Sequence, residues 1–404
     1  MLKRLHLLLA LFILTVNAAM AQITTSGISG KITSDGENVI GATVTAIHQP
    51  SGTVYRAVTN IDGRYTIQGM RPGGPYKVDI SYIGYKDKVI KNLNLSLGET
   101  ENISCSLQED AHQLQEVVVS GKAGLAASRT GAATSMTAEQ INNMPSITHG
   151  IADVARLNPQ LTVTNSGNMS FAGVNNRYNN FMIDGAANND VFGLASSGNN
   201  GGQAGAQPVS METIEQIQVS VAPFDVRQSG FTGGAINAIT KSGTNQFHGS
   251  AYYYGYNQDL IGTKYPYLDG TGYAPKYQKQ TQYNMGVTLG GPIIKNKLFF
   301  FANYERTNKE YPNLYGVDSG NSKVNTEQAK DILTMLQNIA EKQGVNFNDY
   351  YSNQDIYTKS DKAGLKLDWN INEFNKFAIR WSLVKAEQLS GGGSASSLNS
   401  YGYS

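Results

Sequence analysis

Five histidines, His6, His48, His112, His149 and His248, are the side chains best suited to hold a metal or pass a proton, and their spacing serves neither purpose. The single cysteine, Cys105, has no partner for an internal disulfide. It alternates with Ile103 and Leu107 as a small buried hydrophobe in a strand does. Neither a phosphate-cradling P-loop nor a nucleophile elbow is present. The sequence therefore implies no catalytic residue, no metal and no cofactor. What it offers instead is backbone chemistry. The run Leu114-Gln115-Glu116-Val117-Val118-Val119-Ser120-Gly121 sets a β-branched triplet between polar flanks, with Ala/Gly/Ser-rich sequence following to about Ser135. Such a strand either closes a neighbouring sandwich or adds to the exposed edge of another protein, where main-chain hydrogen bonds supply affinity.

Composition narrows the partners. Formal charge is +1 and charged residues make up 16% of the chain, a balance that argues against a nucleic-acid partner, which needs a basic face. Lys3 and Arg4 precede an apolar run over residues 7–16, and Ala19-Met20-Ala21 puts small residues at the cleavage positions. Residues 1–21 thus read as a secretory signal peptide, with Gln22 the first mature residue and Cys105 too distant to anchor a lipid. The apolar run is shorter than the roughly 20 residues a spanning helix needs, and no later segment reaches that length. An exported chain without such a helix can span a membrane as a closed barrel.

Residues 362–384 are written for such a wall. Ala363, Leu365, Leu367 and Trp369 alternate with Lys362, Gly364, Lys366 and Asp368. In the returning arm Phe377, Ile379, Trp381 and Leu383 alternate with Lys376, Ala378, Arg380 and Ser382. Period two places one set on each face of a sheet, and Trp369 with Phe377 beside the turn stand where an aromatic girdle lies. Further strands are expected over residues 247–256, 281–290 and 298–306. Their connections alternate long and short, as extracellular loops and periplasmic turns do in outer-membrane barrels. The second long loop holds a helix capped by Asn325 with Gln328, carrying an apolar stripe of Ala329, Ile332, Leu333, Leu336, Ile339 and Ala340 that is expected to pack on the barrel rim.

Ahead of the wall lie two other units. Residues 22–109 read as short strands separated by Gly/Asp turns, an Ig-like β-sandwich with room for one small core. From Thr137 the pattern becomes mixed. Thr137 with Gln140 forms a capping box, and Thr148 is expected to cap a second helix with Ile151, Val154 and Leu157 on one face. Strands follow at 180–185, 217–221 and 234–240, a short helix is expected over 210–216, and a Gly/Asn/Ser tract spans 188–207. The fold class is mainly β: a sandwich, an α/β domain, and the first strands of an antiparallel transmembrane barrel.

Specific stretches carry a family resemblance. Gly30 with Thr33, Gly41 with Val44, Thr59 with Tyr65, and Gly84-Tyr85 make residues 22–109 resemble a carboxypeptidase-regulatory-like domain, which implies an accessory module without peptidase activity. Ile151-Ala152-Asp153-Val154-Ala155-Arg156-Leu157-Asn158-Pro159, Ala222-Pro223-Phe224-Asp225-Val226-Arg227 and Gly290-Gly291-Pro292-Ile293-Ile294 make the rest resemble a TonB-dependent outer-membrane transporter of the Oar-like group of Bacteroidota. The resemblance implies a TonB-box linker at 110–122, with Glu116, Val117, Val118 and Val119 as the box. It implies a plug at 123–245 and the start of a barrel at 246–404. TonB with its inner-membrane motor proteins becomes the partner, and the outer membrane the location. Candidate substrate-facing plug loops are Asn175, Asn176, Arg177 and Tyr178, and Asn188, Asn189, Asp190 and Phe192. The glycan-importing SusC-like group is less close, because Val154-Ala155-Arg156-Leu157 and Met169-Ser170-Phe171-Ala172-Gly173 replace its plug motifs, which argues against a lipoprotein lid partner.

Five strands cannot close a barrel, and Ser390-Gly391-Gly392-Gly393 and Gly402-Tyr403-Ser404 read as loop, so the sequence reads as the N-terminal part of a longer protein. The expected function is energised passage of an unassigned cargo, inward or outward, through a plugged barrel. Rival readings are a TonB-indifferent surface adhesin, a SusC-like glycan importer, and an exported carbohydrate-binding or peptidase-associated module.

Overall fold

A computed structural model describes residues 24–109, 117–120, 132–144, 146, 149–164, 169–190, 192–193, 195, 197–221, 231–260, 279–313, 325–344, 355–394 and 397–403. The signal peptide read at 1–21, the cap Thr148 and the motif at 222–227 lie outside these residues.

The N-terminal unit runs through β1 (Ser26–Ser34), β2 (Glu37–Asn38), β3 (Thr43–His48), β4 (Thr53–Val58), β5 (Arg64–Met70), β6 (Gly73–Ser81), β7 (Lys88–Leu95), β8 (Thr100–Asn102) and β9 (Cys105–Ser106). One sheet sets β2 and β5 on β1, with β8 and β9 parallel to β1. The other has the order β7-β6-β3-β4. Alternation fills the space between them: Val44 and Ala46 from β3, Val78 and Ile80 from β6, and Ile28 and Ile32 from β1 are all fully buried. Gly30 has to lack a side chain, because a Cβ there would collide with the Ile103 carbonyl oxygen. The expected sandwich is present. Cys105 is half-buried at the core's edge, where burial pushes its thiol up.

The segment β10 (Val117–Ser120) lies parallel to β7, with Val117 opposite Lys88 and Ser120 opposite Lys91. It is the outer strand of the second sheet. Of the two roles open to this strand in the sequence, the structure shows attachment to the sandwich. Glu116 lies outside the described residues.

The central unit comprises β11 (Ala132–Thr137), α1 (Ala138–Asn143), α2 (Ile151–Ala155), β12 (Leu161–Val163), β13 (Met169–Phe171), β14 (Asn180–Ile183), β15 (Ala186–Ala187), β16 (Ile214–Val221) and β17 (Gly234–Thr240). Its main sheet has the order β11-β16-β17-β14-β15. The Thr137–Gln140 capping box forms. The second helix ends at Ala155, two residues earlier than its apolar spacing predicts, so Leu157 is exposed while Ile151 and Val154 are buried. Instead of a helix over 210–216, one 3₁₀ turn at Met211–Thr213 feeds straight into β16.

The third unit is a six-stranded antiparallel meander of β18 (His248–Asn257), β19 (Thr281–Ile294), β20 (Leu298–Tyr311), β21 (Ile356–Asn370), β22 (Lys376–Ser394) and β23 (Ser397–Tyr403). The strands run longer than their apolar alternation, and the Gly/Ser-rich end read as loop supplies β22's last turn of ladder and all of β23. The five-strand expectation is therefore corrected to six. The connection between β22 and β23, residues 395–396, is also short, which interrupts the long–short alternation. Trp369 pairs with Phe377, Leu365 with Trp381 and Leu367 with Ile379. Ile379 and Trp381 are 54% and 55% exposed, whereas Lys362 is 5% exposed on the opposite face. Pro292 has no N–H for the ladder, and register shifts between it and Ile294, so that Ile293 and Ile294 both face outward.

The loop helix is α3 (Thr326–Lys342), with the Asn325–Gln328 capping box formed. Ala329 and Leu333 are buried, but Ile332, Leu336 and Ile339 are exposed. The stripe does not pack against the rim along its length.

Candidate functional site

The inward face of the meander holds the central unit through two polar nodes. In the first, Lys362 of β21 lies 2.6 Å from Glu305 of β20. The Ser210 hydroxyl, just before β16, donates to the other Glu305 oxygen at 2.6 Å, and the Tyr252 hydroxyl of β18 donates to that oxygen at 2.7 Å. Both charges are nearly buried, and each has the opposite charge and hydrogen bonds that burial demands.

In the second node the carboxylate comes from the central unit. Asp184 and Gly185 have φ of 48° and 79°, the left-handed backbone that a two-residue hairpin turn between β14 and β15 requires. That turn aims Asp184 at the wall, 3.3 Å from Lys366 and 3.4 Å from Arg380. The Thr240 N–H and hydroxyl donate to the same carboxylate at 2.9 and 2.6 Å. Lys366 also donates to the Thr240 carbonyl at 3.0 Å. A further seam lies along β18, where the His149 ring stacks on Tyr254 at 3.9 Å and the Tyr254 hydroxyl donates to Glu212.

The short connections at 295–297 and 371–375 mark one end of the wall, and the sandwich meets that end. Arg56 pairs with Glu373 at 2.7 Å, Arg71 lies 3.5 Å from Asp368, and the Asn370 amide donates to the Thr53 hydroxyl at 2.9 Å. Lys376 sits over the Tyr55 ring, 3.3 Å from its centroid. The sandwich also meets β16 of the central unit: Leu97 N–H donates to Gln216 at 3.0 Å and Gln218 donates to the Leu97 carbonyl at 2.9 Å. Between the three units lies a cavity of about 690 Å³ whose lining includes Arg71, Asp184, Glu215, Lys366 and Asp368.

Within the sandwich, His48 is buried, shares a 2.6 Å hydrogen bond with the Ser51 hydroxyl, and packs on Tyr76. Loss of solvent, reinforced by Arg71, lowers its pKa to about 3.

The two loops picked from the sequence meet at the end of the central unit away from the sandwich. Arg177 donates to the Gly193 carbonyl at 2.9 Å, joining them. Asn175 caps the 3₁₀ turn Asn176–Tyr178 by accepting from the Arg177 N–H. Asn189 is turned inward, accepting from Phe181 N–H and donating to Asn180. Asp190 accepts from the Phe192 and Ala195 N–H groups and shapes the second loop. Tyr178 and Phe192 are left presented to solvent. Asn188 instead lines the cavity near the sandwich. Sequence reasoning did not single out Glu305, Ser210, Tyr252 or Asp184; the Asp-Gly turn dipeptide and the charges on the wall's polar face were the available signals. Among the described residues no group of His, Cys, Asp and Glu is placed to hold a metal ion, and no helix is long and apolar enough to cross a membrane, which says nothing of strands.

Comparison with known proteins also divides the chain into three parts. Residues 27–108 match the carboxypeptidase regulatory-like domain, 126–236 the TonB-dependent receptor plug domain, and 239–317 an outer membrane β-barrel domain. The TonB-dependent transporter Oar of Myxococcus xanthus is 29% identical over 259 residues, 61% of this chain and 23% of its own. The probable TonB-dependent siderophore receptor PirA of Acinetobacter baumannii is 25% identical over 188 residues, 43% of this chain and 22% of its own. The chain thus spans under a quarter of either relative's length. Among solved structures, the outer membrane transporter YddB of Escherichia coli superposes with a TM-score of 0.44 at 15% identity, covering 65% of this chain and 34% of its own.

Proposed function

We propose, from the premise that this chain carries the regulatory-like, plug and barrel domains of a TonB-dependent receptor, that it acts as an outer-membrane transporter of the Oar-like kind. It is not an enzyme. The observation that carries this reading is the two-faced wall. Its outer face carries a band of exposed apolar side chains, Val287, Leu289, Leu365, Ile379 and Trp381 among them, that ends at the Arg306–Asp361 pair, and its inner face sets Glu305, Lys362 and Lys366 against the plug. The described sheet has two free edges, β18 and β23, so transport is assigned to a barrel in which those edges are paired.

In this mechanism cargo contacts Arg177, Tyr178 and Phe192 at the outward end of the plug. TonB, driven by its inner-membrane motor, pairs with the β10 segment in the periplasm and pulls. The plug gives way at its polar contacts with the wall, because water can take over the hydrogen bonds of Ser210, Asp184 and Thr240. Export of the chain by a signal peptide at 1–21 belongs to the same reading.

The test is Val118→Pro in the complete protein, which removes a backbone donor from the strand. Energised transport is expected to vanish while the amount of protein at the cell surface stays normal. Undiminished transport by that variant removes the TonB role from this segment. A phenotype that persists without TonB favours the adhesin reading instead.

A further inference from the structure

The sandwich has two unlike ends. At one, His48 of β3 is opposite Thr53 and Tyr76, and this end meets the barrel rim. At the other, Thr43 is opposite Val58 and Ser81, and among the described residues no plug or barrel side chain is in contact with it. This far end is strongly apolar for a water-facing surface. Ile83, on the turn after Ser81, is 95% exposed, and Ile61, on the turn after Val58, is 76% exposed. Val58 and Ile40 are both more than half exposed beside them. Gly41 N–H donates to the Thr59 carbonyl, and Gly41 stands against the Tyr82 ring, so these turns share one surface. Single exposed aliphatics are ordinary; four on one end with paired tyrosines beside them are a contact surface.

Two further features adjoin it. A cavity of about 450 Å³ opens between Ile40 and the tilted ring pair Tyr82 and Tyr85, and its charged lining is Asp35, Glu37 and Glu109, with no cation among the lining residues. The β10 strand begins at the same end, because Val117 lies opposite Lys88, which itself pairs with Ile80. With β7 on one side and, among the described residues, no strand on the other, β10 presents a row of backbone donors and acceptors to any chain that can add a strand.

We infer that β10 and the far end of the sandwich form one composite docking surface for the strand-adding periplasmic domain of TonB. This inference rests on the reading of β10 given above. The edge of β10 receives the incoming strand, the aliphatic cluster receives apolar side chains, and the carboxylate-lined cavity receives a basic side chain from the partner. The sandwich therefore displays the box as a preformed edge. A preformed edge spares the partner the entropy of ordering a free peptide.

The experiment measures binding of the periplasmic C-terminal domain of TonB from the same cell to the detergent-extracted receptor. Three receptors are compared: the native protein, Ile61→Asp/Ile83→Asp, and Val118→Pro. The substituted isoleucines are surface residues, and an unchanged melting profile of the sandwich establishes that they leave it folded. The expected result is at least a tenfold weaker association for the double variant and complete loss for Val118→Pro. Glu37→Lys is expected to weaken binding and flatten its dependence on salt. Native affinity in the double variant alongside loss in Val118→Pro overturns the composite surface and leaves the role of β10 standing. Binding that survives Val118→Pro ends both.

Discussion

The sandwich and the plug are both built on five-stranded sheets, but they close differently. In the sandwich each sheet buries its apolar face against the other, and Ile28, Val44, Tyr76 and Ile80 leave no exposed core surface. The plug has one main sheet. Ile217, Val219, Ile236 and Ala238 face its apolar cluster, whereas Gln216, Gln218, Ser220 and Asn237 on the reverse face are buried and polar. The sandwich can open only by exposing hydrocarbon to water, at about 25 cal/mol per Å². The plug's outer contacts combine a few apolar ones, at Val209 and Phe301, with hydrogen bonds and ion pairs at Ser210, Asp184 and Thr240, whose loss to water costs far less each. Firm seating and easy departure are thus compatible when the seat is polar.

The comparison is sharpened first in the sandwich core. Tyr76→Ala is expected to cost about 3–5 kcal/mol, as large aromatic truncations in closed cores do. Hydrogen exchange across β3 and β6 should accelerate while exchange in β16 and β17 stays slow. Equal protection in the variant and the native protein breaks the proposed difference.

At the plug seat, Glu305→Gln leaves Lys362 buried without its countercharge and should destabilise the seat by about 3 kcal/mol. Adding Lys362→Met should restore most of that loss, since an apolar replacement asks for no countercharge. Protease sensitivity of the plug in isolated membranes reads both effects, and a double variant as labile as the single one contradicts them.

Acid separates the two regions by a smaller amount. His48 has a folded pKa of about 3 against 6.5 unfolded, so between those values the unfolded chain takes up a proton that the folded sandwich refuses. Stability is complete above pH 6.5 and falls as pH drops, by about 2 kcal/mol by pH 5. His48→Asn should flatten that slope in urea titrations of the sandwich signal; an unaltered slope removes His48 as the cause. The least effect belongs to Arg56→Ala at the rim. Its pair with Glu373 is half exposed, and its removal should change stability by less than about 1 kcal/mol.

Much of this arrangement was legible in the residues. Alternation in 362–384 gave the wall's two faces, and the capping pairs Thr137–Gln140 and Asn325–Gln328 fixed two helix starts, because each depends on neighbours in sequence. The extent of β22 and the existence of β23 were not legible. Their Gly/Ser-rich residues have weak strand preference, and pairing with a neighbouring strand overrides it. Leu157 misled because helical spacing continued past the point where the helix stops. The nodes at Glu305 and Asp184 escaped for a different reason. Lys362 and Glu305 are 57 positions apart and Lys366 and Asp184 182 apart, and a single sequence carries no sign that such residues meet.

The register shift after Pro292 has one more consequence. By the pairing of neighbouring strands, Pro292 is level with Phe299, Leu298 with Trp369, and Trp369 with Phe377, a nearly horizontal row across four strands. On one side of it the outward-facing Leu365, Leu367, Ile379 and Trp381 are fit for lipid, as far as the outward ion pair Arg306–Asp361; at it, strict alternation stops and indole and phenyl rings gather. On the transporter reading proposed above, that row is the waterline, and with each residue advancing about 3.4 Å along a strand, it sets the depth at which the wall floats to within about one residue.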